Sequence, residues 1–271
     1  MNIRATGIRP ARLGECGRLG IVLAVPGELH IYRDPPLDGP TNMARDEHLM
    51  YANEARPAAL RLYGWNPPTL SLGCFQRYAD VAGLPAPLCD WPVVRRPTGG
   101  GAIVHDREVT YCLSVDESTG WTRRPPADLY HLVHRLWRDA IAADGPALEL
   151  APDSLPFPSP RRGPFFCFAK PGRTDLIVSG GKVLGSAQRR AAGRVMQHGS
   201  LLLDRPRAGD PGADLGAPPP DCVAGWVERF VALLANALSL APVDATWLPG
   251  PLADVAFRRK RFADPAWTRR H

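Results

Sequence analysis

Apolar residues recur along this chain in two rhythms, one of strands and one of helices. Ile21-Val22-Leu23-Ala24-Val25, a Pro26-Gly27 turn and Leu29-His30-Ile31-Tyr32 predict a hairpin over 20–33. From Asn42 to Ala55 the spacing changes to that of a helix, with Thr41 or Asn42 as its cap and Met43, Leu49 and Met50 on its inner side. Short strands are expected at 59–63, 69–72, 93–96, 102–105 and 108–113. The helical period is clearest over 127–143, where Leu129, Leu132, Val133, Leu136, Trp137 and Ile141 share a face. Residues 144–173 are proline-rich and irregular, strands resume at 176–178, 182–188 and 195–203, and 205–220 reads as a loop. A long helix is expected over 223–240, and the basic stretch Arg258-Arg259-Lys260-Arg261 is read as a tail that adds at most a short one. This order fits one α+β domain spanning 1–271, with a mixed, mostly antiparallel sheet flanked by helices, a core at about 20–240 and a basic tail at about 250–271.

Composition changes the picture in two places. The net charge of +6 is compatible with an acidic partner, although a mildly basic globular protein would show the same number. Of 33 cationic residues only Lys170, Lys182 and Lys260 are lysines. In a chain this biased toward arginine, a retained lysine points to a site that needs a compact ammonium. The six cysteines, Cys16, Cys74, Cys89, Cys112, Cys167 and Cys222, are dispersed and show no metal-ligand spacing. No stretch is long and apolar enough to span a membrane. A reducing, cytoplasmic setting is expected, with no metal, no membrane and a monomeric state.

Two segments do not read as core. Arg95-Arg96-Pro97-Thr98-Gly99-Gly100-Gly101 precedes a strand ending at His105. Consecutive glycines let a ligand lie on the backbone, where N–H groups can face a carboxylate, phosphate or thioester oxygen. A hairpin turn is the plain alternative. The second segment is Gly181-Lys182-Val183-Leu184-Gly185-Ser186-Ala187-Gln188-Arg189-Arg190, followed by Gln197-His198-Gly199-Ser200-Leu201. Lys182 is either a solvated lysine after a turn or an ammonium aimed at an acyl carbonyl. Cys167, within Phe165-Phe166-Cys167-Phe168, is either a small buried hydrophobe or a nucleophile held by a nearby cation. His105 and His198 are assigned supporting roles.

Taken in order, these motifs resemble the lipoate–biotin protein ligase superfamily, on its lipoate side and close to the lipoate-protein ligases. The likeness covers about residues 40–205 and includes Asn42-Met43-Ala44-Arg45-Asp46-Glu47, Leu60-Arg61-Leu62-Tyr63-Gly64-Trp65 and Ser71-Leu72-Gly73. It implies that fold, with the acyl chain bound near the triple glycine and Lys182. Phe166-Cys167-Phe168-Ala169-Lys170-Pro171 resembles the octanoyltransferase branch that uses a cysteine, whereas Gly172-Arg173-Thr174-Asp175 resembles the ligase pattern.

The resemblance to the octanoyltransferase branch implies octanoyl transfer from octanoyl-acyl carrier protein to a lysine of a lipoyl domain or of glycine-cleavage H protein. Cys167 and Lys182 would be catalytic. Arg96, Gly99, Gly100, Gly101, His105, Gly185, Gln188 and His198 would bind substrate. No cofactor is expected. An ATP-dependent lipoate ligase, needing Mg-ATP and a free acid, is the first alternative. A non-catalytic protein that binds lipoyl domains or nucleic acid is the second. A nucleic-acid partner is not expected, because no basic patch is interleaved with aromatics.

Overall fold

The computed structural model describes residues 27–51, 56–156, 163–209 and 212–270. An eight-stranded sheet runs through it. Its strands are β1 (Glu28–Arg33), β2 (Ala58–Tyr63), β6 (Glu108–Asp116), β7 (Glu149–Leu150), β8 (Leu176–Val178), β9 (Gly181–Ala191), β10 (Arg194–Leu202) and β11 (Ala241–Asp244). A second, three-stranded sheet holds β3 (Thr69–Leu72), β4 (Val93–Arg95) and β5 (Ile103–His105). The helices are α1 (Gly39–Tyr51), α2 (Pro126–Ile141), α3 (Pro220–Leu238), α4 (Pro249–Ala263) and the single turn α5 (Pro265–Thr268).

The large sheet runs in the order β11-β1-β2-β6-β10-β9-β8-β7. Only β1 pairs in parallel, with β11 and β2; every other pairing is antiparallel. This is the mixed, mostly antiparallel sheet the patterning predicts. The hairpin expected over 20–33 falls partly outside the described residues. Its first arm lies outside the described residues, and both edges of its second arm, β1, are taken by β2 and β11. The small sheet was not foreseen. Its three short strands look like any others in sequence, and only pairing separates them from the large sheet.

Alternation along the central strands sorts side chains onto two faces. On one face Leu60, Tyr111, Leu113 and Val195 pack under α2 and α3, with Trp137 stacked on Phe230 at 4.0 Å. On the other, Ala59, Tyr63, Cys112 and Met196 pack under α1 and α4, including Met43, Leu49, Val255 and Phe262. The basic tail is therefore part of the packing. Arg258, Arg259 and Arg261 lie in α4, a fifteen-residue helix that seats Val255 and Phe262 in this second core. The cap of α1 is Asp38, whose carboxylate accepts from Thr41 N at 2.7 Å. Asn42, expected near the cap, is instead fully buried and donates to Leu37 O and Gly64 O. Helices α2 to α5 all open on a proline, Pro126, Pro220, Pro249 and Pro265, where a missing N–H costs nothing.

The α1 face is held by a buried charge network. Arg61 on β2 donates to Asp46 Oδ1 at 2.7 Å and to Asn42 Oδ1 at 2.6 Å, and its guanidinium lies 3.8 Å from the centre of the Tyr63 ring. Burial raises the Asp46 pKa, but His198 and Arg61 outweigh it and hold the carboxyl below its ordinary value. Replacing Arg61 by methionine removes the guanidinium that buried Asp46 and Asp34 share, leaving Asp34 to Arg45 and Asp46 to His198. The expected loss is about 3–5 kcal/mol, read as a lowered midpoint in urea unfolding. An unchanged midpoint would show that the network is not structural.

Candidate active site

The glycine run sits between the two sheets and is gripped from both sides. Arg96 projects beneath it and donates to Gly99 O at 2.9 Å, Gly101 O at 2.6 Å and Ser71 O at 3.1 Å. In a planar trans peptide, a Gly99 carbonyl turned to Arg96 directs the Gly100 N–H to the opposite side of the loop. Gly73 and Gly101 are required by close approach. A Cβ on Gly73 would fall 2.0 Å from Gly100 O, and one on Gly101 would fall 2.8 Å from Cys167 N.

That second contact brings the cysteine to the loop. Ala102 N donates to Phe165 O at 2.6 Å, and Cys167 N donates to Ala102 O at 2.8 Å. Gln76 reinforces the junction, donating to Phe165 O at 2.9 Å while its own carbonyl accepts from Gly73 N. Phe165 and Phe166 pack on the small sheet, which anchors the irregular segment that carries Cys167.

Lys182 enters from β9. Its Nζ lies 3.4 Å from Cys167 Sγ and 2.9 Å from Asp175 Oδ2, with both charged side chains buried. Burial opposes its charge, but Cys167 and Asp175 outweigh that and raise the pKa above the ordinary lysine value. The group is an ammonium at any physiological pH. Gly185 makes the geometry possible, because a Cβ there would lie 2.1 Å from Lys182 Cε. Asp175 is fixed in turn by Gly172 N, which donates to Oδ2 at 2.8 Å.

Cys167 and Lys182 line one cleft, together with Gly99, Gly100, Gly185 and His198. Met43, Tyr63, Trp65 and Ile103 supply its apolar wall. His105 lines it too, stacked on Trp65 at 3.8 Å and held by Glu108 and Ser71. Burial lowers its pKa, Glu108 acting against the shift. His198 bonds Asp46 at 3.0 Å and Thr98 at 2.6 Å, joining the α1 network to the glycine loop. Gln188 lies apart from this cleft, donating to Gln197 Oε1 and Pro126 O along the outer part of β9.

Three residues of the arrangement escaped the sequence reading in this role. Asp175 appeared only as part of a ligase-like stretch. Trp65 lies in a quoted motif but showed no sign of facing a cleft. His134 was hidden within an amphipathic helix. It is fully buried, donates through Nδ1 to Thr174 O at 2.5 Å and accepts at Nε2 from Ser186 Oγ at 2.6 Å. Tyr111 and Gln197 continue this chain of donors to Ser186. His134 thereby pins the residue before Asp175, itself held at φ 81°.

Residues 38–207 match the lipoyl protein ligase A/B catalytic domain family, and the chain belongs to it. Within that class it resembles octanoyltransferases named LipM. The one from Kyrpidia tusciae is 41% identical over 180 residues, covering 60% of this chain and 61% of the relative. The one from Bacillus subtilis is 38% identical over 174 residues, with the same coverage of 60% and 61%. The chain thus spans about three fifths of the length of these curated relatives. The fold matches a lipoate-protein ligase A solved with ATP, at a TM-score of 0.68 and 13% identity over 89% of this chain and 98% of that one. It also matches the bipartite lipoate protein ligase of Thermoplasma acidophilum, at 0.59 and 16% over 90% and 96%.

Burial lowers the His134 pKa to about 4, with Asp175 acting in the opposite direction. An unfolded histidine titrates near 6.5, so between those values the unfolded chain binds more protons. Stability supplied by neutral His134 is therefore complete above about pH 6.5 and is lost as pH falls toward about 4, a change of roughly 3 kcal/mol. Urea unfolding across that window should show a shallower pH dependence in His134→Asn than in the parent. Equal slopes would remove His134 from the acid response.

Proposed function

We propose that this protein transfers an octanoyl group from octanoyl-acyl carrier protein to a lysine of a lipoyl domain or of glycine-cleavage H protein, in lipoate assembly. The observation that carries this reading is the Lys182 ammonium 3.4 Å from Cys167 Sγ, at the wall of a largely apolar cleft. A buried cation beside the sulfur can hold the negative charge that moves between sulfur and carbonyl oxygen during acyl transfer. The LipM relatives, which are octanoyltransferases, support the same reaction class.

In the first step the Cys167 thiolate attacks the carbonyl carbon of the octanoyl thioester. Negative charge develops on the carbonyl oxygen, and Lys182 with the Gly99–Gly101 amides would stabilise it. The bond to the carrier's sulfur breaks, and the carrier leaves as a thiolate that takes up a proton. The new bond is again a thioester, so little free energy changes hands. In the second step the unprotonated amine of the target lysine attacks the acyl-cysteine. An amide forms, Cys167 returns as the thiolate, and the amine's proton passes to solvent. Amide formation draws the sequence forward. Asp175 keeps Lys182 in place without touching the acyl group. Neither a metal nor a nucleotide enters these steps.

Mixing the protein with octanoyl-loaded carrier, without ATP, should add one octanoyl group that hydroxylamine removes. Cys167→Ala should form no adduct and lose at least a thousandfold in transfer. Lys182→Met should keep the cleft but lose about a hundred- to a thousandfold in kcat. Normal transfer by Cys167→Ala would overturn the reading. Modification of a lipoyl domain only with lipoate and Mg-ATP would indicate a ligase, with Cys167 reduced to packing.

A further inference from the structure

Cys167 and Lys182 leave unexplained the arginines that close the second motif and those of the C-terminal helices. They meet in one groove. Gly99 lines both this groove and the reactive cleft, and β9 runs from one to the other, with Ser186 and Ala187 in the cleft and Gln188 and Arg189 in the groove. Arg258, Arg261 and Arg270 line its far side, brought there by α4 and the segment after α5.

The charges in the groove do not balance. Glu47 is buried there and accepts from both Arg258 and Arg261 through Oε2, at 3.2 and 2.5 Å, and Arg258 also donates to Asp254 Oδ2 at 2.6 Å. Arg189 and Arg270 have no carboxylate partner among the described residues. Arg189 donates to Pro97 O at 3.1 Å, and Arg270 donates to Cys74 O at 3.4 Å while stacking 3.8 Å from the Trp267 ring centre. Burial lowers the Arg270 pKa, Cys74 acts against that, and Arg261 and Arg189 lower it further as like charges. Three guanidiniums thus crowd one end of a groove with one buried carboxylate. Phe75, 43% exposed, gives the same groove an apolar side.

We propose that Arg189 and Arg270 form a phosphoryl-binding subsite for the acyl donor, receiving the phosphate that ends the donor's pantetheine arm. The proposal rests on the acyl-transfer reading above and names the part of the donor that the cleft does not hold. Lys182 and Arg189 are seven residues apart on one strand, on the order of 20 Å. An extended pantetheine arm between thioester sulfur and phosphate is of that same order. Guanidinium pairs match phosphate oxygens in charge and geometry, and a groove with surplus cations repays the loss of phosphate hydration.

The test compares octanoyl-phosphopantetheine with octanoyl-pantetheine, which differ only in the phosphate. The parent should prefer the phosphorylated thioester in kcat/KM. Arg270→Gln, at the chain's end, should lose roughly tenfold more with the phosphorylated donor than with the other, chiefly through KM. Arg189→Gln should do the same, and the double variant should bring the ratio of the two donors close to one. Equal losses with both donors would overturn the proposal, because they would report a disturbed glycine loop. Losses with carrier-linked octanoyl but not with free octanoyl-phosphopantetheine would also overturn it, assigning the arginines to the carrier's protein surface. Should the parent transfer octanoyl from neither thioester nor from the loaded carrier, the acyl-transfer reading fails by itself. Calorimetry with phosphopantetheine and pantetheine then decides the subsite: phosphate-selective binding that both variants lose supports it. Absent or unselective binding, or selectivity for Mg-ATP alone, rejects it.

Discussion

Two backbone hydrogen bonds carry the rest of the site: Ala102 N to Phe165 O, and Cys167 N to Ala102 O. They lay an irregular, proline-rich segment against the end of the glycine run. Without them Cys167 would belong to a loop free to choose its position. With them it is referred to the small sheet on one side and, through Lys182, to the large sheet on the other. The absent side chain of Gly101 is the condition for this contact, since any Cβ there would push the cysteine segment away. The triple glycine therefore does two things. It brings backbone to the cleft, and it admits a second backbone behind itself.

The charges follow from that placement. A lysine buried alone would tend to lose its proton, since burial disfavours the charged form. Cys167 and Asp175 together prevent this, and Asp175 is fixed by its own loop amide and by His134 behind the preceding residue. The arrangement resembles a small ionic core built before any substrate arrives. Such preorganisation is what an oxyanion site needs, because groups already in place do not reorganise during reaction. Arg96, by contrast, faces the loop's carbonyls and shapes the glycine run from below.

The C-terminal helices bear on the same loop. Arg95 donates to Thr268 O, and Trp267 Nε1 donates back to Arg95 O, so α5 is tied to the strand that leads into the glycine run. Arg258 and Arg261 of α4, and Arg270 after α5, reach the groove beside Gly99. The paired arginines of the first motif thus have different duties. One holds the C-terminus and the other holds the loop.

Much of this was legible from residue order. The period-two runs marked the central strands, the helical spacing of 127–143 marked α2, and Cys167, Lys182, Gly99–Gly101 and Gly185 stood out because small or ionic residues in those patterns do not serve a core. Prolines at helix starts would also have placed the beginning of α3 and revealed α4, had they been weighed as start signals. Pairing partners were not legible. β1 accepts two parallel neighbours far away in sequence, and an apolar run carries no mark of which strand will lie beside it. Nor could spacing disclose that Asp175 faces Lys182, that His134 lies behind it, or that Arg189 and Arg270, distant in sequence, share a groove. Local sequence sets conformation and chemical type, through sterics and hydrophobic period. Tertiary structure alone decided which charges were buried together, because burial and electrostatic coupling depend on distances that the chain defines only once it has folded.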